Sequence, residues 1–369
     1  TADPGHYVPN TGSANQTACD LGTFQPNSGA SACIDSPPGH FVNTSAATSP
    51  TPCSSGTYNP SLGSSSVDDC MDSDPGYAVP DPGSSYQTPC TPGHYQPASG
   101  QTSCLEADAG YFVSSSGAYS QTPCSPGTYT ANTSQSACTQ ASPGHYVGAP
   151  GSTYQEACSI GTYNSQSGSI SASDCLPADA GSYVPMAGAA NQIPCAEGTY
   201  QPSIGQSSCI LADPGHYVPG TNYQTQIECQ LGSFQQYSGS SSCTLAEPGN
   251  YVDSIASDTQ KQCPPTTYNP ASGSDDRDDC IDVDSGHYAS EWGTPEQIEC
   301  TLGTYQPNSA QSTCLEADPG YFVSSPASTS QSACPAGTYN PSQSSGTAAD
   351  CMPADPGYFV DKQASPAQT

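Results

Sequence analysis

Aromatic residues recur at a fixed interval along the chain and set its pattern of apolar positions. They stand two residues after a glycine, in a Gly-x-aromatic unit that returns every 17 residues, or every 20 residues at four places. Two copies depart: Ala78 replaces the aromatic after Gly76, and Thr266 replaces the glycine before Tyr268. The first copies begin at Gly5, Gly22 and Gly39, and the last begins at Gly357. Between the units the sequence is polar and rich in Ser, Thr, Gly and Pro. A fixed period of this kind predicts a tandem-repeat protein.

A turn followed by a short strand is predicted at each unit. Proline precedes the glycine in many copies, as in Pro4-Gly5, and this pair favours a tight turn because proline presets φ and glycine accepts a positive φ. A β-prone run such as 216–218 follows, and Pro219 closes it, so strands of two to four residues are expected. The chain shows no helical periodicity of useful length. The predicted fold is small, disulfide-rich and all-β or irregular: a linear tandem-repeat rod of short β-hairpin loops, without a globular core and with essentially no helix.

Twenty cysteines follow the same rhythm. Every second gap between consecutive cysteines is 20 residues, and the other gap is 14 or 17 residues. The spacing predicts one continuous array over residues 1–369, with no separate globular domain. Its 21 half-modules of 17 or 20 residues make ten two-cysteine modules of 34 or 37 residues, the first beginning near Cys19 and the last near Cys334. The four longer modules read Thr-Tyr-Asn after their first cysteine and have Asp before their second.

Two nearest-neighbour pairing schemes compete, because a sequence alone does not fix disulfide connectivity. One closes loops of 14 or 17 residues, and the other closes loops of 20 residues and leaves Cys19 and Cys351 without partners in the chain. The first is favoured because it pairs every cysteine internally, and each loop would contribute about 3 kcal/mol. The favoured pairs are Cys19–Cys33, Cys53–Cys70, Cys90–Cys104, Cys124–Cys138, Cys158–Cys175, Cys195–Cys209, Cys229–Cys243, Cys263–Cys280, Cys300–Cys314 and Cys334–Cys351.

Each hairpin loop is expected to be pinned by one disulfide and one aromatic residue. Packing against the disulfide is the predicted role of the aromatics, and a binding stripe of exposed tyrosine is the alternative. The structural aromatics proposed on this basis are Tyr7, Phe24, Phe41, Tyr58, Tyr95, Tyr146, Tyr217 and Tyr305.

Composition explains why the chain needs cross-links. Leu, Ile, Val and Phe make up about a tenth of it, and the formal net charge is −30 from 33 acidic and three basic residues. Such a chain would normally be disordered, because it buries too little apolar surface to offset its conformational entropy. Disulfides can replace a core, and they form in oxidising compartments, so an extracellular, secreted or cell-surface location is expected.

The same composition excludes several partners. The negative charge disfavours nucleic acid and anionic lipid, and no run of 18 apolar residues is present to insert into a membrane. The chain opens at Thr1 without an apolar stretch of signal type, and both of its ends fall inside a module. The rhythm is therefore expected to continue past them, as in a protomer or a window of a polymer.

Catalysis and cofactor binding are not expected. The six histidines, His6, His40, His94, His145, His216 and His287, are tens of residues apart and are predicted to be exposed turn residues. The acidic residues around Arg277 lack the pattern of a Ca²⁺ loop and are predicted to form a solvated face, with diffuse Ca²⁺ bridging between chains as the alternative. A composition this polar does not build an apolar pocket, so no enzyme, no small-molecule substrate and no metal site are predicted.

Glycosylation is the predicted modification. Asn15, Asn43 and Asn132 begin Asn-x-Ser/Thr triplets, and Ser- and Thr-rich loops add candidates for O-linked sugar.

The pattern Cys-x-x-Gly-Thr-Tyr-x-Pro-x-x-Gly-x-x-x-Cys, as in Cys195 to Cys209, resembles the ephrin-receptor-like cysteine-rich repeat. That repeat is similar to the loop modules of tumour-necrosis-factor receptors and of growth-factor-receptor cysteine-rich domains. The family usually carries Cys-x-x-Cys at each junction, whereas half of those cysteines are absent here. The replacements are Ser36, Ala107 and Ala317 on one kind of junction and Gln16, Gln87, Gln121, Gln155 and Gln192 on the other.

The resemblance has two implications. Because the two lost positions flank a retained pair, it implies that they would have paired with each other in a nested scheme. Family members are extracellular stalks or binding ectodomains, so the resemblance also implies that the chain is not an enzyme.

The expected function is an extracellular structural glycoprotein, the repeating subunit or a window of a surface fibre or filament stabilised by disulfides. Its partners would be copies of itself, joined head to tail. With Lys261, Arg277 and Lys362 as its only basic residues, it would resist trypsin-type proteases. The alternative is the repeat stalk or binding ectodomain of a cell-surface adhesin or receptor, for which Trp292, between Glu291 and Gly293, is the candidate anchor.

Overall fold

Two-residue antiparallel hairpins are the repeating element of the structure, a computed structural model that describes all 369 residues. Each forms its own two-stranded sheet, in which the strand after a turn glycine pairs with a return strand beside a cysteine or its replacement. The chain forms two compact units, Thr1–Pro177 with Val184–Gln192 and Ala178–Tyr183 with Ile193–Thr369. Both units are built of the same hairpin, and a single continuous array over the whole chain stays a prediction.

Ten hairpins make up the first unit. Their paired strands are His6–Tyr7 with Thr17–Ala18, Thr23–Phe24 with Ile34–Asp35, His40–Phe41 with Thr51–Pro52, Thr57–Tyr58 with Met71–Asp72, Tyr77–Ala78 with Thr88–Pro89, His94–Tyr95 with Leu105–Glu106, Tyr111–Phe112 with Thr122–Pro123, Thr128–Tyr129 with Thr139–Gln140, His145–Tyr146 with Glu156–Ala157, and Thr162–Tyr163 with Leu176–Pro177.

Ten more hairpins make up the second unit. Their paired strands are Ser182–Tyr183 with Ile193–Pro194, Thr199–Tyr200 with Ile210–Leu211, His216–Tyr217 with Ile227–Glu228, Ser233–Phe234 with Thr244–Leu245, Asn250–Tyr251 with Lys261–Gln262, Thr267–Tyr268 with Ile281–Asp282, His287–Tyr288 with Ile298–Glu299, Thr304–Tyr305 with Leu315–Glu316, Tyr321–Phe322 with Ser332–Ala333, and Thr338–Tyr339 with Met352–Pro353.

The helical residues lie in four single turns of 3₁₀ helix, one in each long module. These turns are Val67–Asp69, Ala172–Asp174, Arg277–Asp279 and Ala348–Asp350. The predicted fold class, a disulfide-rich all-β tandem repeat of short hairpins with essentially no helix, is confirmed.

Within each unit, backbone hydrogen bonds join a half-module to the next one. In the first unit the amide of Gly22 donates to the carbonyl of Val42 at 2.9 Å, and the amide of Val42 donates to the carbonyl of Ser64 at 2.9 Å. In the second unit Gly232 makes the same bond to Val252 at 2.9 Å. Stacking thus satisfies backbone groups that two-residue strands leave unpaired.

The turn glycines bring alternate half-modules into close backbone contact. Gly22 has a φ of +87°, and a Cβ atom there would lie 2.3 Å from the carbonyl oxygen of Gly63, which belongs to the half-module after next. In the second unit a Cβ on Gly215 would lie 2.1 Å from the carbonyl oxygen of Ala256. At these two positions any other side chain would overlap the backbone. The equivalent turn position 266 carries threonine, with a φ of +81°. A half-module therefore contacts both the next half-module and the one after it.

A column of small side chains is buried inside each unit. It contains the first cysteine of each disulfide, and in the intervening half-modules it contains Ala, Ser or Val. Ser36, Ala107 and Ala317, the positions where the family has a further cysteine, are all fully buried in this column at 0% exposure.

A second buried column consists of the residue that follows each aromatic. In half-modules without a disulfide it is usually valine, as at Val42 and Val252, and in the others it is Gln, Asn or Thr. The Asn269 amide donates to the carbonyl of Asn250 at 3.2 Å and to the hydroxyl of Ser274 at 2.8 Å, and its oxygen accepts the Ala271 amide at 3.0 Å. The buried amide is thus satisfied, which makes its burial tolerable.

Ten disulfides close loops of 14 or 17 residues, with Cα–Cα distances of 5.6 to 5.8 Å, and no cysteine is free. They lie in alternate half-modules, so the expectation that every hairpin loop carries its own disulfide is wrong. The pairs are Cys19–Cys33, Cys53–Cys70, Cys90–Cys104, Cys124–Cys138, Cys158–Cys175, Cys195–Cys209, Cys229–Cys243, Cys263–Cys280, Cys300–Cys314 and Cys334–Cys351.

In eight of the half-modules without a disulfide, a pair of hydrogen bonds that we call the Asp–Gln clamp closes the loop. The amide of Asp108 donates to Oε1 of Gln121 at 2.7 Å, and Nε2 of Gln121 donates back to Oδ2 of Asp108 at 2.6 Å. Both bonds recur at Asp3–Gln16, Asp74–Gln87, Asp213–Gln226, Glu247–Gln260, Asp284–Gln297, Asp318–Gln331 and Asp355–Gln368.

The clamp lies where the neighbouring half-modules have their disulfide. Counted from the first strand of the hairpin, Ala107 and Gln121 stand where Cys90 and Cys104 stand in the preceding half-module. The two lost cysteines therefore belong to one half-module. The nested pairing of positions 87 and 107 stays a prediction; Gln87 itself bonds Asp74.

Replacing Ser36 with alanine is expected to stabilise the protein. The Ser36 hydroxyl is fully buried without a hydrogen-bond partner, so its removal relieves an uncompensated desolvation of about 1 kcal/mol. The midpoint of urea unfolding, followed by circular dichroism, should rise.

The control is the same substitution at Ser73, in the same column and equally buried. The Ser73 hydroxyl accepts the Gln101 amide at 2.9 Å and donates to the Gln101 carbonyl at 3.3 Å. Ser73→Ala should therefore lower the midpoint, by about 1 kcal/mol in stability. Equal changes of the urea midpoint in Ser36→Ala and Ser73→Ala would contradict the expectation that only the Ser36 hydroxyl is buried without a partner.

The double variant Ala107→Cys/Gln121→Cys is expected to form an eleventh disulfide. The new loop should contribute about 3 kcal/mol, and loss of the two clamp hydrogen bonds should cost about 1 kcal/mol each, so a net gain of about 1 kcal/mol is expected. Intact mass should show the loss of two further hydrogens, and the urea midpoint should rise. Gln121→Cys alone, which only removes the clamp, should lower the urea midpoint. Two free thiols in the double variant would show that positions 107 and 121 are not equivalent to Cys90 and Cys104.

Candidate functional site

The disulfide-bearing hairpins carry a repeated apolar surface. In eight of them an aromatic residue on the first strand pairs with Ile, Leu or Met on the return strand, whose side chain is 40 to 53% exposed. We call these pairs the aromatic–aliphatic row. They are Phe24–Ile34, Tyr58–Met71, Tyr95–Leu105 and Tyr163–Leu176 in the first unit, and Tyr200–Ile210, Tyr268–Ile281, Tyr305–Leu315 and Tyr339–Met352 in the second.

Most of the repeated aromatics are partly or fully buried in the hairpins. Of the eight singled out from the sequence, Phe41 is buried and Tyr7, Phe24, Tyr58, Tyr95, Tyr146, Tyr217 and Tyr305 are partly exposed. The fully buried positions are held by Val, Asn and Cys instead. A role of the aromatics in binding stays a prediction.

Trp292 is a large aromatic residue at the tip of an exposed turn. It is 61% exposed, and it borders an open cavity of about 340 Å³ that is also lined by Glu291, Thr294, Glu296 and Ile298. The site thus combines an aromatic face with two carboxylates.

Most acidic side chains lack a basic partner, because the chain has only three basic residues against 33 acidic ones. Lys261 pairs with Asp253 at 2.7 Å, which raises the pKa of the ammonium group and lowers the pKa of the carboxyl group. A hydrogen bond from Thr133, at 2.9 Å, lowers the pKa of Glu106. The remaining charge gives the surface a strongly negative potential, which attracts cations.

The acidic cluster around Arg277 caps a 3₁₀ turn. One carboxylate oxygen of Asp279 accepts the amides of Asp275 at 3.0 Å and Asp276 at 3.2 Å, and Asp276 accepts the amide of Asp278 at 3.1 Å. The aspartates before the second cysteine of the other long modules, Asp69, Asp174 and Asp350, act in the same way. No group of three or more His, Cys, Asp or Glu side chains is placed to hold a metal ion.

The six histidines lie apart, each on the first strand of a different hairpin. His6, His40, His145, His216 and His287 each place Nδ1 within 3.1 to 3.3 Å of the carbonyl two residues before, and His94 lies beside Thr91. The structure does not bring them together.

The three predicted glycosylation positions are accessible. Asn15, Asn43 and Asn132 are exposed and lie outside the strands. The structure therefore presents each side chain where a glycosyl transferase can reach it, and the modification itself stays a prediction.

No helix in the structure has the length and apolarity that crossing a bilayer requires.

Comparison with known families gives a match at the start of the chain. Residues 5–53 match the family described as tyrosine-protein kinase ephrin type A/B receptor-like, a receptor-type cysteine-rich repeat rather than a catalytic domain. No curated protein matches the chain significantly. Many disulfides and a receptor-like repeat are typical of extracellular or cell-surface proteins. The resemblance to ephrin-receptor-like cysteine-rich repeats is therefore confirmed, in a chain whose repeats retain half of the family cysteines.

Proposed function

We propose that this chain is an extracellular structural glycoprotein, the repeating subunit or a stretch of a disulfide-stabilised surface filament. Its partners are copies of itself, joined head to tail. It is not an enzyme, and it takes no resident cofactor, small-molecule substrate, nucleic acid or inserted membrane.

The stacking bonds within each unit carry this proposal. A half-module uses one set of groups toward its predecessor and a different set toward its successor, as when Gly29 donates to Ala2 at 2.8 Å and Gly22 donates to Val42 at 2.9 Å. Such a contact is heterologous, and heterologous contacts that do not close into a ring propagate into open filaments. The same bonds made between chains would extend the stack.

The surface suits a durable extracellular polymer. Ten disulfides resist thermal unfolding, and three basic residues leave trypsin-type proteases few sites. The charge of −30 keeps the polymer hydrated, while salt screens repulsion between chains beyond about 10 Å. Diffuse Ca²⁺ bridging and glycans at Asn15, Asn43 and Asn132 belong to the proposal.

A second candidate is the repeat stalk or binding ectodomain of a cell-surface adhesin or receptor. The family match favours it, and so do the aromatic–aliphatic row and the exposed Trp292. The side chains of these surfaces take no part in the hydrogen bonds of the stack. They can therefore form a binding site without loss of the fold.

Electron microscopy of the native material separates the two candidates. Because stacking is directional, we expect filaments whose axial repeat corresponds to one copy of the chain. Intact mass of the same material should exceed 37.5 kDa through attached glycans.

Reduced and alkylated chain is the control, and it should form no filaments because its loops are no longer closed. Particles that stay monomeric at every concentration and bind a soluble partner would overturn the filament proposal and favour the ectodomain. A mass of 37.5 kDa, less only the hydrogens lost in disulfides, would contradict the glycans.

A further inference from the structure

We propose that the turn at Trp292 binds a cationic side chain, lysine or arginine, of a basic polypeptide partner. The indole face would contact the cationic group, and Glu291 and Glu296 would neutralise its charge. This inference concerns one site and does not depend on assembly of the chain with itself.

The turn is held rigidly in place by backbone bonds. The amide of Gly293 donates to the carbonyl of Cys263 at 2.9 Å, and the carbonyl of Thr294 accepts the amide of Asn269 at 3.1 Å. The Thr294 hydroxyl closes the turn by donating to the carbonyl of Glu291 at 2.9 Å. Asn269 itself is buried and fully hydrogen-bonded. A site on such a support loses little conformational entropy when it binds.

The tryptophan is not needed by the fold. Ile204, Tyr237 and Ile255 lie beside the corresponding turns of other half-modules and are also exposed, at 63, 70 and 55%. The stack thus accepts different side chains at this tip, and a tryptophan with 61% of its surface exposed has no partner in the interior. Exposed tryptophan is a frequent anchor in protein interfaces.

The charge around the site selects a cation. Glu291 and Glu296 line the cavity, and no lysine or arginine makes an ion pair with either of them. The nearby Lys261 is already paired with Asp253 at 2.7 Å. Tryptophan is the best aromatic partner for ammonium and guanidinium groups, and two carboxylates beside it favour a cation over a neutral ligand.

The size of the site fits a side chain of a larger partner. The cavity of about 340 Å³ is at the lower end of ligand-binding cavities and is open to solvent. A basic polypeptide is also drawn to the chain by its net charge of −30, which raises the rate of encounter.

Trp292 is the sole tryptophan, so its fluorescence reports directly on this site. A short lysine-containing peptide without tryptophan, titrated into the folded chain, should change the emission in a saturable way. Trp292→Ala, measured by anisotropy of a labelled peptide, should bind about tenfold more weakly, and Glu291→Gln/Glu296→Gln should lose a similar factor. Both variants change exposed side chains, and circular dichroism with intact mass checks that they fold with ten disulfides.

Two controls separate this site from general attraction to an acidic chain. Tyr237→Ala removes another exposed turn aromatic, with no glutamate or aspartate within five residues on either side, and should leave the affinity unchanged. In the relocated variant, Trp292→Ile combined with Ile204→Trp, the emission should no longer respond at the same peptide concentration.

Three results would overturn the proposal. Unchanged peptide affinity in Trp292→Ala would show that the attraction is diffuse. A fluorescence response to a neutral oligosaccharide and none to the peptide would assign the site to sugar. Tighter binding of tetramethylammonium than of the peptide would assign it to a free ammonium compound instead of a polypeptide.

Discussion

Close backbone contact at the turn glycines is the constraint on which the other features of the structure depend. The turn at Gly22 lies so near the carbonyl of Gly63 that even a methyl group would overlap it, and Gly215 meets Ala256 in the same way. Half-modules this close keep most interior side chains small, and the buried columns consist mainly of Cys, Ala, Ser and Val, with hydrogen-bonded Asn and Gln. The close approach also lets backbone amides of one half-module reach carbonyls of the next, so that two-residue strands suffice.

The alternation of disulfide and Asp–Gln clamp follows from the same geometry. A hairpin of two residues per strand is not stable alone, so most half-modules close their loop with a disulfide or a clamp. The half-module of Gly39, with Pro37 and Pro50 at the clamp positions, has neither and is held by bonds to its neighbours. A covalent closure contributes about 3 kcal/mol and a hydrogen-bonded closure less, but each half-module is also held by both neighbours. One disulfide in every second half-module is therefore sufficient, and the freed positions become a buried alanine and a half-buried glutamine, as at Ala107 and Gln121.

Local signals predicted much of this fold from the sequence. Proline after the aromatic limits strand length, the cysteine spacing favours the loops that the structure closes, and the fixed period indicates stacking. The buried columns were not predictable in this way, because burial of Val42 depends on a contact with Ser64 in the next half-module. The asparagine of the Thr-Tyr-Asn triplets belongs to the second buried column. In the sequence, however, a polar residue after an aromatic is typical of an exposed strand position. The burial of the repeated aromatics also varies, since Phe41 and Tyr251 are buried whereas Tyr58 and Tyr305 are partly exposed, and their packing against the disulfides stays a prediction.

Separation of interior and surface has a consequence for function. Since the stack is stabilised by backbone bonds, disulfides and small side chains, the outer positions of each hairpin and turn are free to vary without loss of the fold. Exposed residues such as Trp292, Tyr237 and the aliphatic members of the aromatic–aliphatic row occupy these positions. A repeat of this kind can therefore act as a uniform structural scaffold along most of its length and still present a specific site at one turn. The two candidate functions, structural polymer and binding ectodomain, differ only in which of these surfaces is used, because the same stacked support underlies both.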